Sequence, residues 1–178
     1  AEAKSVGELN LSGALENNYG MIKDLTGLSA FTGLKKLDLG DNLVADVSEL
    51  VNLTDLEWLC LEKNRIKDIT PLKNLRKMTH LDLYLNNIED ASPAMRLTNL
   101  TMLDLRDNNI STVDGIKSLT KLKELYLGKN HIRDVSQLKE LYDLKYLSLG
   151  GNEIEDIHML KDLKNIGVLA VPNNKIKD

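Results

Sequence analysis

An asparagine that recurs every 22 residues is the feature that most constrains the fold of this chain. No residue is inserted or lost between successive copies. The seven copies are Asn42, Asn64, Asn86, Asn108, Asn130, Asn152 and Asn174. The residues before them keep the same register, as in LKKLDLGDN (34–42) and LTMLDLRDN (100–108). A fixed period of this length predicts a solenoid, in which each unit buries its apolar face only against its neighbours.

Each unit begins with leucines that alternate with other residues, as in HLDLYLN (80–86). Alternation at period two predicts a strand with one buried face and one wet face. An earlier strand is predicted at VGELNL (6–11), which brings the number of strands to eight. Extra residues near 12–19 make the first coil irregular, so it extends from 6 to 33, and regular coils follow from 34 to 178.

The asparagine stands where the chain leaves the strand and turns a corner. Backbone groups there lose their partners in the sheet while they remain buried. An asparagine side chain carries one acceptor and two donor hydrogens, so it can satisfy both the turn and the neighbouring coil. We therefore predict a structural ladder of asparagines along the core.

The second half of each unit has apolar residues three positions apart, which predicts a 3₁₀ turn and not a long helix. A short hydrogen-bonding side chain precedes that turn, as such turns favour. These side chains are Asp46, Asp68, Asp90, Thr112, Asp134 and Asp156. The predicted fold is an α/β right-handed solenoid of eight coils, with a parallel sheet on its concave face and short 3₁₀ or turn segments on its convex face.

The unit L-x-x-L-x-L-x-x-N-x-I-x-D-I-x-x-L-x-x-L resembles the 22-residue internalin and SDS22-like class of leucine-rich repeat. Segments such as IKDITPLKNL (66–75) are more similar to bacterial internalin-type domains. The resemblance implies a non-enzymatic module that binds a host or cell-surface protein on its concave face, in a secreted or surface-attached bacterial protein. The alternative is a cytoplasmic SDS22-like scaffold for a phosphatase or another enzyme. The recognition domain of a larger enzyme and an engineered scaffold are further alternatives.

The two ends of the chain differ from a complete solenoid. No helical cap precedes the first strand, and the chain stops soon after the last asparagine, which leaves residues 166–171 at an open edge. Solenoids need polar caps. We therefore expect residues 1–178 to form a single repeat domain from a longer protein, and we expect that domain to be a monomer.

The predicted concave face carries most of the chain's aromatic residues. Trp58, Tyr84, Tyr126 and Tyr146 occupy solvent positions there, and aromatic residues and arginine dominate protein-interface hot spots. The candidate binding residues are Trp58, His80, Asp82, Tyr84, Met102, Asp104, Arg106, Tyr126 and Tyr146. Equivalent residues of successive coils form columns on this face. When the columns that contain the residue before His80 and the residue after Tyr84 are included, the face has seven basic and nine acidic side chains, a mixed surface that suits a protein ligand.

Other classes of function are disfavoured. The net charge is −4 and the basic residues are dispersed, which argues against a nucleic-acid partner. No apolar run approaches the roughly 20 residues that span a bilayer, so no membrane insertion is expected. The single cysteine, Cys60, would face Asp82, which raises a thiol pKa and disfavours a Cys60–His80–Asp82 nucleophile. Asp82 and Asp104 supply too few oxygens for Ca²⁺. We predict no cofactor and no metal.

Overall fold

One parallel sheet organises the protein. The computed structural model describes residues 3–13 and 21–177, and within them eight strands lie side by side in chain order. The strands are Glu8–Asn10 (β1), Lys36–Asp38 (β2), Trp58–Cys60 (β3), His80–Asp82 (β4), Met102–Asp104 (β5), Glu124–Tyr126 (β6), Tyr146–Ser148 (β7) and Val168–Ala170 (β8). The predicted eight-stranded parallel sheet is confirmed. The proposed insertion falls mostly on residues 14–20, which lie outside the described part.

Short 3₁₀ segments form the opposite side of the coils. They are Ala3–Ser5, Leu28–Ala30, Ser48–Leu50, Thr70–Asn74, Ala94–Arg96, Ile116–Ser118, Ser136–Glu140 and His158–Asp162. The predicted aspartates precede them and accept a hydrogen bond from the backbone N–H two residues on. Asp68, for example, accepts from Thr70 at 2.7 Å and Asp46 from Ser48 at 2.8 Å. The 3₁₀ turns predicted from the period-three spacing are therefore confirmed.

The strands pair without any slip in register. Leu59 is opposite Leu81, and Leu81 is opposite Leu103, so each residue lies beside its counterpart in the next coil. The middle leucine of each strand from β2 to β7 points into the core and is fully buried. The residues on either side of it lie on the other face of the sheet, which corresponds to the predicted concave face, and all of them in β2 to β7 except Cys60 and Asp104 are at least partly exposed.

The asparagine ladder joins each coil to the one before it. Asn86 donates from Nδ2 to the carbonyl oxygens of Leu61 and Leu83 at 2.9 and 3.1 Å. Its Oδ1 accepts the backbone N–H of Ile66 at 3.0 Å. The same pattern recurs at the other predicted positions. The ladder is confirmed, and only Asn174, in the last coil, is less than fully buried.

The residue before each ladder asparagine has a left-handed backbone. This holds for Asp41, Lys63, Leu85, Asp107, Lys129, Gly151 and Asn173. Glycine, asparagine and aspartate accept this conformation most easily. Leu85, with φ 53°, is the one apolar side chain in the series and is 43% exposed.

The last strand is an open edge, as predicted. Within residues 3–13 and 21–177, β8 pairs only with β7. Leu169 is 41% exposed, whereas its counterpart Leu147 in β7 is fully buried. The difference arises because no coil packs against this side of β8 within the described residues.

Replacing one ladder residue tests the role of the asparagines. Asn86→Ala leaves three buried backbone groups without their side-chain partner, and we expect it to lower the free energy of unfolding by about 3 kcal/mol. Asn87→Ala, one residue along, is the control and should change stability by less than about 0.5 kcal/mol. Chemical denaturation measures both. Equal effects of the two substitutions would contradict the ladder.

Candidate functional site

The nine predicted binding residues all lie on the solvent side of the sheet, between β3 and β7. They form three parallel columns because the register never slips. The first residue of a strand supplies Trp58, His80, Met102 and Tyr146. The last residue of a strand supplies Asp82, Asp104 and Tyr126. The column two residues further on holds Tyr84 and Arg106.

Trp58 lies inside a stack along the first column. Its ring packs on His80 with 5.1 Å between ring centroids and 17° between the planes. The ammonium of Lys36 lies 4.9 Å from the centre of the same ring. Lys36 belongs to β2 and His80 to β4, so the two cover opposite faces of the indole. The stack holds Trp58 in place and leaves its ring edge for a ligand.

A second row of stacked side chains crosses the face diagonally. The Arg106 guanidinium lies 5.0 Å from the ring centres of both Tyr84 and Tyr126. Tyr126 also packs on Tyr146, with 4.8 Å between ring centroids. The row therefore runs from β4 to β7 without a break. Cation–π and aromatic contacts of this kind are each worth about 0.5–1.5 kcal/mol.

Asp104 does not face solvent as its position in the sequence suggested. It is only 1% exposed because Arg106 covers it. Arg106 donates from Nε to both carboxylate oxygens at 2.8 and 3.0 Å and also from Nη2. Hydrogen bonding to Asp104 raises the pKa of Arg106. The prediction that Asp104 contacts a ligand is therefore corrected. Asp104 instead positions Arg106 between Tyr84 and Tyr126.

Asp82 is half-buried and has an unusual titration. Its pKa is raised to about 6, chiefly by burial and also by the carboxylates of Asp104 and Glu62, while a hydrogen bond from the Tyr84 backbone opposes the change. Burial also lowers the pKa of His80. Asp82 therefore gains or loses its charge in mildly acidic solution, near pH 6. The centre of the face is therefore sensitive to mild acid.

Cys60 lies opposite Asp82 in the sheet, as predicted. The pKa of its thiol is raised to about 12, chiefly by burial and also by nearby carboxylates, so it is protonated at neutral pH. Among the described residues, Cys60, Glu62 and Asp82 bring their ligand atoms within 4.8 Å of one another. Three such atoms fall short of the six or more oxygens that Ca²⁺ takes. The absence of a metal remains a prediction.

Three residues of this face were not among the predicted binding residues. Lys36 covers Trp58, and Glu124 accepts a hydrogen bond from the Tyr126 hydroxyl at 2.9 Å. Leu85 projects from the turn after β4. Lys36 and Glu124 share the column of Trp58, so the register alone could have identified them. Leu85 breaks a column of polar residues and glycine, which is also a signal in the sequence.

The stability of an Asp82→Asn variant should depend on pH in a defined way. Because the folded pKa of about 6 lies above the unfolded value near 3.9, the folded protein binds more protons between these values and loses stability as pH rises. Asparagine removes this loss. We expect the variant to match the wild type near pH 4 and to exceed it by about 1 kcal/mol above pH 6.5, after allowance for solvent screening. Melting curves across this range measure the difference, and a gain that grows toward acid would contradict it.

Family comparisons agree with this architecture. A family model described as "Leucine Rich repeats (2 copies)" matches residues 54–94 and 98–140. A second, described as "Leucine rich repeat", matches residues 120–176. No curated protein sequence matches the chain.

Solved structures with the same fold come from bacteria and plants. Internalin C2 of Listeria monocytogenes is 26% identical with a TM-score of 0.79, over 95% of this chain and 82% of that one. An internalin F structure from the same species is 27% identical with a TM-score of 0.53, over 99% and 70%. The Arabidopsis thaliana receptor kinase GASSHO1/SCHENGEN3 ectodomain, in complex with CASPARIAN STRIP INTEGRITY FACTOR 2, is 26% identical with a TM-score of 0.74, over 85% and 20%. The repeat, the asparagine ladder and these matches show that the chain belongs to the leucine-rich repeat family and is similar to its internalin-type members.

Proposed function

We propose that the protein binds another protein on the concave face, through an aromatic surface formed by Trp58, Tyr84, Tyr126 and Tyr146. The observation that carries this proposal is the stacking that orders these side chains before any ligand arrives. Holding a flexible interface side chain costs about 0.5–1.5 kcal/mol on binding. Side chains already fixed by their neighbours avoid most of that cost. Tryptophan, tyrosine and arginine are also the residues that contribute most to interface affinity.

The stacking also favours one kind of contact. Lys36 and His80 occupy the two faces of Trp58, and Arg106 and Tyr146 both pack against Tyr126. On Trp58 and Tyr126, the ring edges and the indole N–H are what remain for a ligand. Such groups suit the mixed polar and apolar surface of a protein. A flat sugar ring or a quaternary ammonium would instead need open aromatic faces.

The charge of the face supports a partner with a basic surface. The three strand columns carry six acidic side chains and two basic ones. The acidic residues are Glu8, Asp38, Glu62, Asp82, Asp104 and Glu124, and the basic residues are Lys36 and Arg106. The remaining cations of the wider face lie in its two flanking columns. An acidic centre attracts a partner of opposite charge and speeds its association.

The relatives support a protein ligand and an extracellular role. The receptor kinase ectodomain above is bound to an integrity factor, and the internalins share most of their length with this chain. We therefore favour an internalin-like secreted or surface-attached domain that binds a cell-surface protein. The described residues contain no helix with the length and apolarity to cross a bilayer. An internal SDS22-like scaffold is the alternative.

We also infer that the face is not catalytic. A thiol whose pKa is about 12 supplies almost no thiolate at neutral pH. His80 packs against Trp58, and Cys60 is opposite Asp82 in the register and not opposite His80. These residues therefore lack the nucleophile–base pair that covalent catalysis needs.

A capture experiment tests the proposed surface. Purified wild type and a Trp58→Ala/Tyr126→Ala variant are incubated with host-cell surface extract and with lysate of the source organism. We expect the wild type to retain a specific protein and the variant to bind it at least tenfold more weakly, because two ordered anchors are lost. The extract that supplies the protein distinguishes a surface role from an internal scaffold.

A matched control on the other side of the coil makes the result specific. Tyr142→Ala removes an exposed tyrosine near the turn segments, 59% exposed, and should leave capture unchanged. Melting curves verify that every variant is folded. Equal capture by wild type and the double variant would place the binding site elsewhere and reject the proposal.

A further inference from the structure

A groove runs along the carboxyl ends of β4 to β8, beside the aromatic surface. It has a volume of about 310 Å³ and lies between Tyr84 and Arg106 at one end and Pro172 at the other. Gly128, Gly150 and Gly151 contribute to it where other coils have larger side chains. Because Gly128 and Gly150 occupy equivalent positions in neighbouring coils, the groove runs across the strands.

The floor of the groove is backbone that no side chain can easily cover. A Cβ on Gly128 would lie 3.1 Å from the Gly150 carbonyl oxygen, and a Cβ on Gly150 would lie 3.0 Å from Pro172 Cγ. The floor carbonyls are already bonded, since Gly128 accepts the N–H of Asp107 and Gly150 that of Lys129. The floor carbonyls therefore already have hydrogen-bond partners, and the missing side chains allow close contact with a ligand. That combination favours apolar ligand atoms and close approach of another backbone.

Leu85 extends this apolar character at the Tyr84 end. Its backbone N–H donates to the Arg106 carbonyl at 2.9 Å, which places it directly beside the groove. Its side chain is exposed and its backbone is left-handed, two features that cost stability in isolation. A residue that lowers stability and makes no compensating contact within the fold indicates a functional role. The left-handed backbone is common to this position in every regular coil, whereas the exposed leucine side chain is not, and contact with a partner accounts for it.

Charge gives the groove a direction. Within the groove, Lys129 pairs with Asp107 at 3.1 Å. Arg106 pairs with the buried Asp104, so the groove has no net charge. Beyond the Leu85 end the surface turns acidic. Asp82 forms no ion pair within the described residues, and Glu62 has only a 3.7 Å contact with Lys63.

We propose that an extended segment of the partner protein lies in this groove, with apolar side chains over the glycines and a lysine or arginine facing Glu62 and Asp82. The inference rests on the proposed protein-binding function and names the chemistry of the segment. Five strands about 4.8 Å apart span roughly 19 Å, which matches about six residues of extended chain. The backbone of such a segment can approach the floor closely at Gly128 and Gly150, which lack side chains.

The probe for this proposal is a library of random heptapeptides displayed on phage and selected on the wild-type protein. We expect the enriched sequences to share two or more apolar residues followed or preceded by lysine or arginine. One enriched peptide is then synthesised with a fluorescent label and titrated by anisotropy. The absence of a shared sequence, or a shared acidic sequence, would overturn the proposal.

Four substitutions locate the bound peptide. Leu85→Asn removes the apolar rim and relaxes the backbone, so its melting temperature should not fall while its affinity drops at least tenfold. Gly150→Leu fills the floor and should cause a similar loss if melting curves show that it folds. Asp82→Asn should weaken binding at least threefold. Asp41→Asn, at the equivalent position to Leu85 in an earlier coil, is the matched control and should bind as wild type does.

The same titration separates this proposal from the function on which it rests. Wild-type affinity in both Leu85→Asn and folded Gly150→Leu would reject the groove. If the peptide is then lost in Trp58→Ala/Tyr126→Ala, the aromatic surface stands without the groove. If that double variant also binds normally and captures its partner normally, both proposals are rejected.

Discussion

The asparagine ladder is the interaction on which the rest of the structure depends. Each coil turns a corner where buried backbone groups have lost their sheet partners, and one side chain satisfies groups in its own coil and in the coil before it. Because that side chain reaches only a fixed distance, every coil must have the same length at this corner. The constant spacing between each strand and its asparagine is thus a geometric requirement of the stack. Core leucines supply the burial energy, while the ladder fixes where each coil begins and ends.

Because the register is fixed, side chains on the face opposite the core line up in columns across the strands. These positions can differ from coil to coil without changing the leucine core. Trp58 meets His80, and Arg106 meets Tyr84, because each pair lies on adjacent coils at equivalent positions. These residues stabilise one another across the sheet, so the surface is ordered without a ligand. The same regularity creates the groove, since glycines in the coils of β6 and β7 remove side chains along one line. A binding surface can therefore be built on this scaffold by choosing a few positions only.

Much of this architecture could be predicted from the sequence because it follows from period. The strands, the 3₁₀ turns, the ladder and the pairing of Cys60 with Asp82 all derive from one repeat length and two apolar spacings. The burial of Asp104 could not be predicted, since it depends on the direction that the Arg106 side chain takes. The raised pKa of Asp82 depends chiefly on its own burial and also on carboxylates in neighbouring coils. Leu85 was visible as an apolar residue in a polar column, but its left-handed backbone emerged only from the fold.

The most direct test of the central claim is the rate at which asparagine side-chain amides exchange hydrogen, measured by NMR under native conditions. The account predicts strong protection of the Nδ2 hydrogens in the ladder, as in Asn64, Asn86 and Asn108, because each is buried and bonded to carbonyls of two coils. Exposed Asn52 and Asn109 should exchange at the rate of a free amide and serve as internal controls. Ladder amides that exchange as fast as these two would contradict the ladder, and with it the register that places the binding residues on one face.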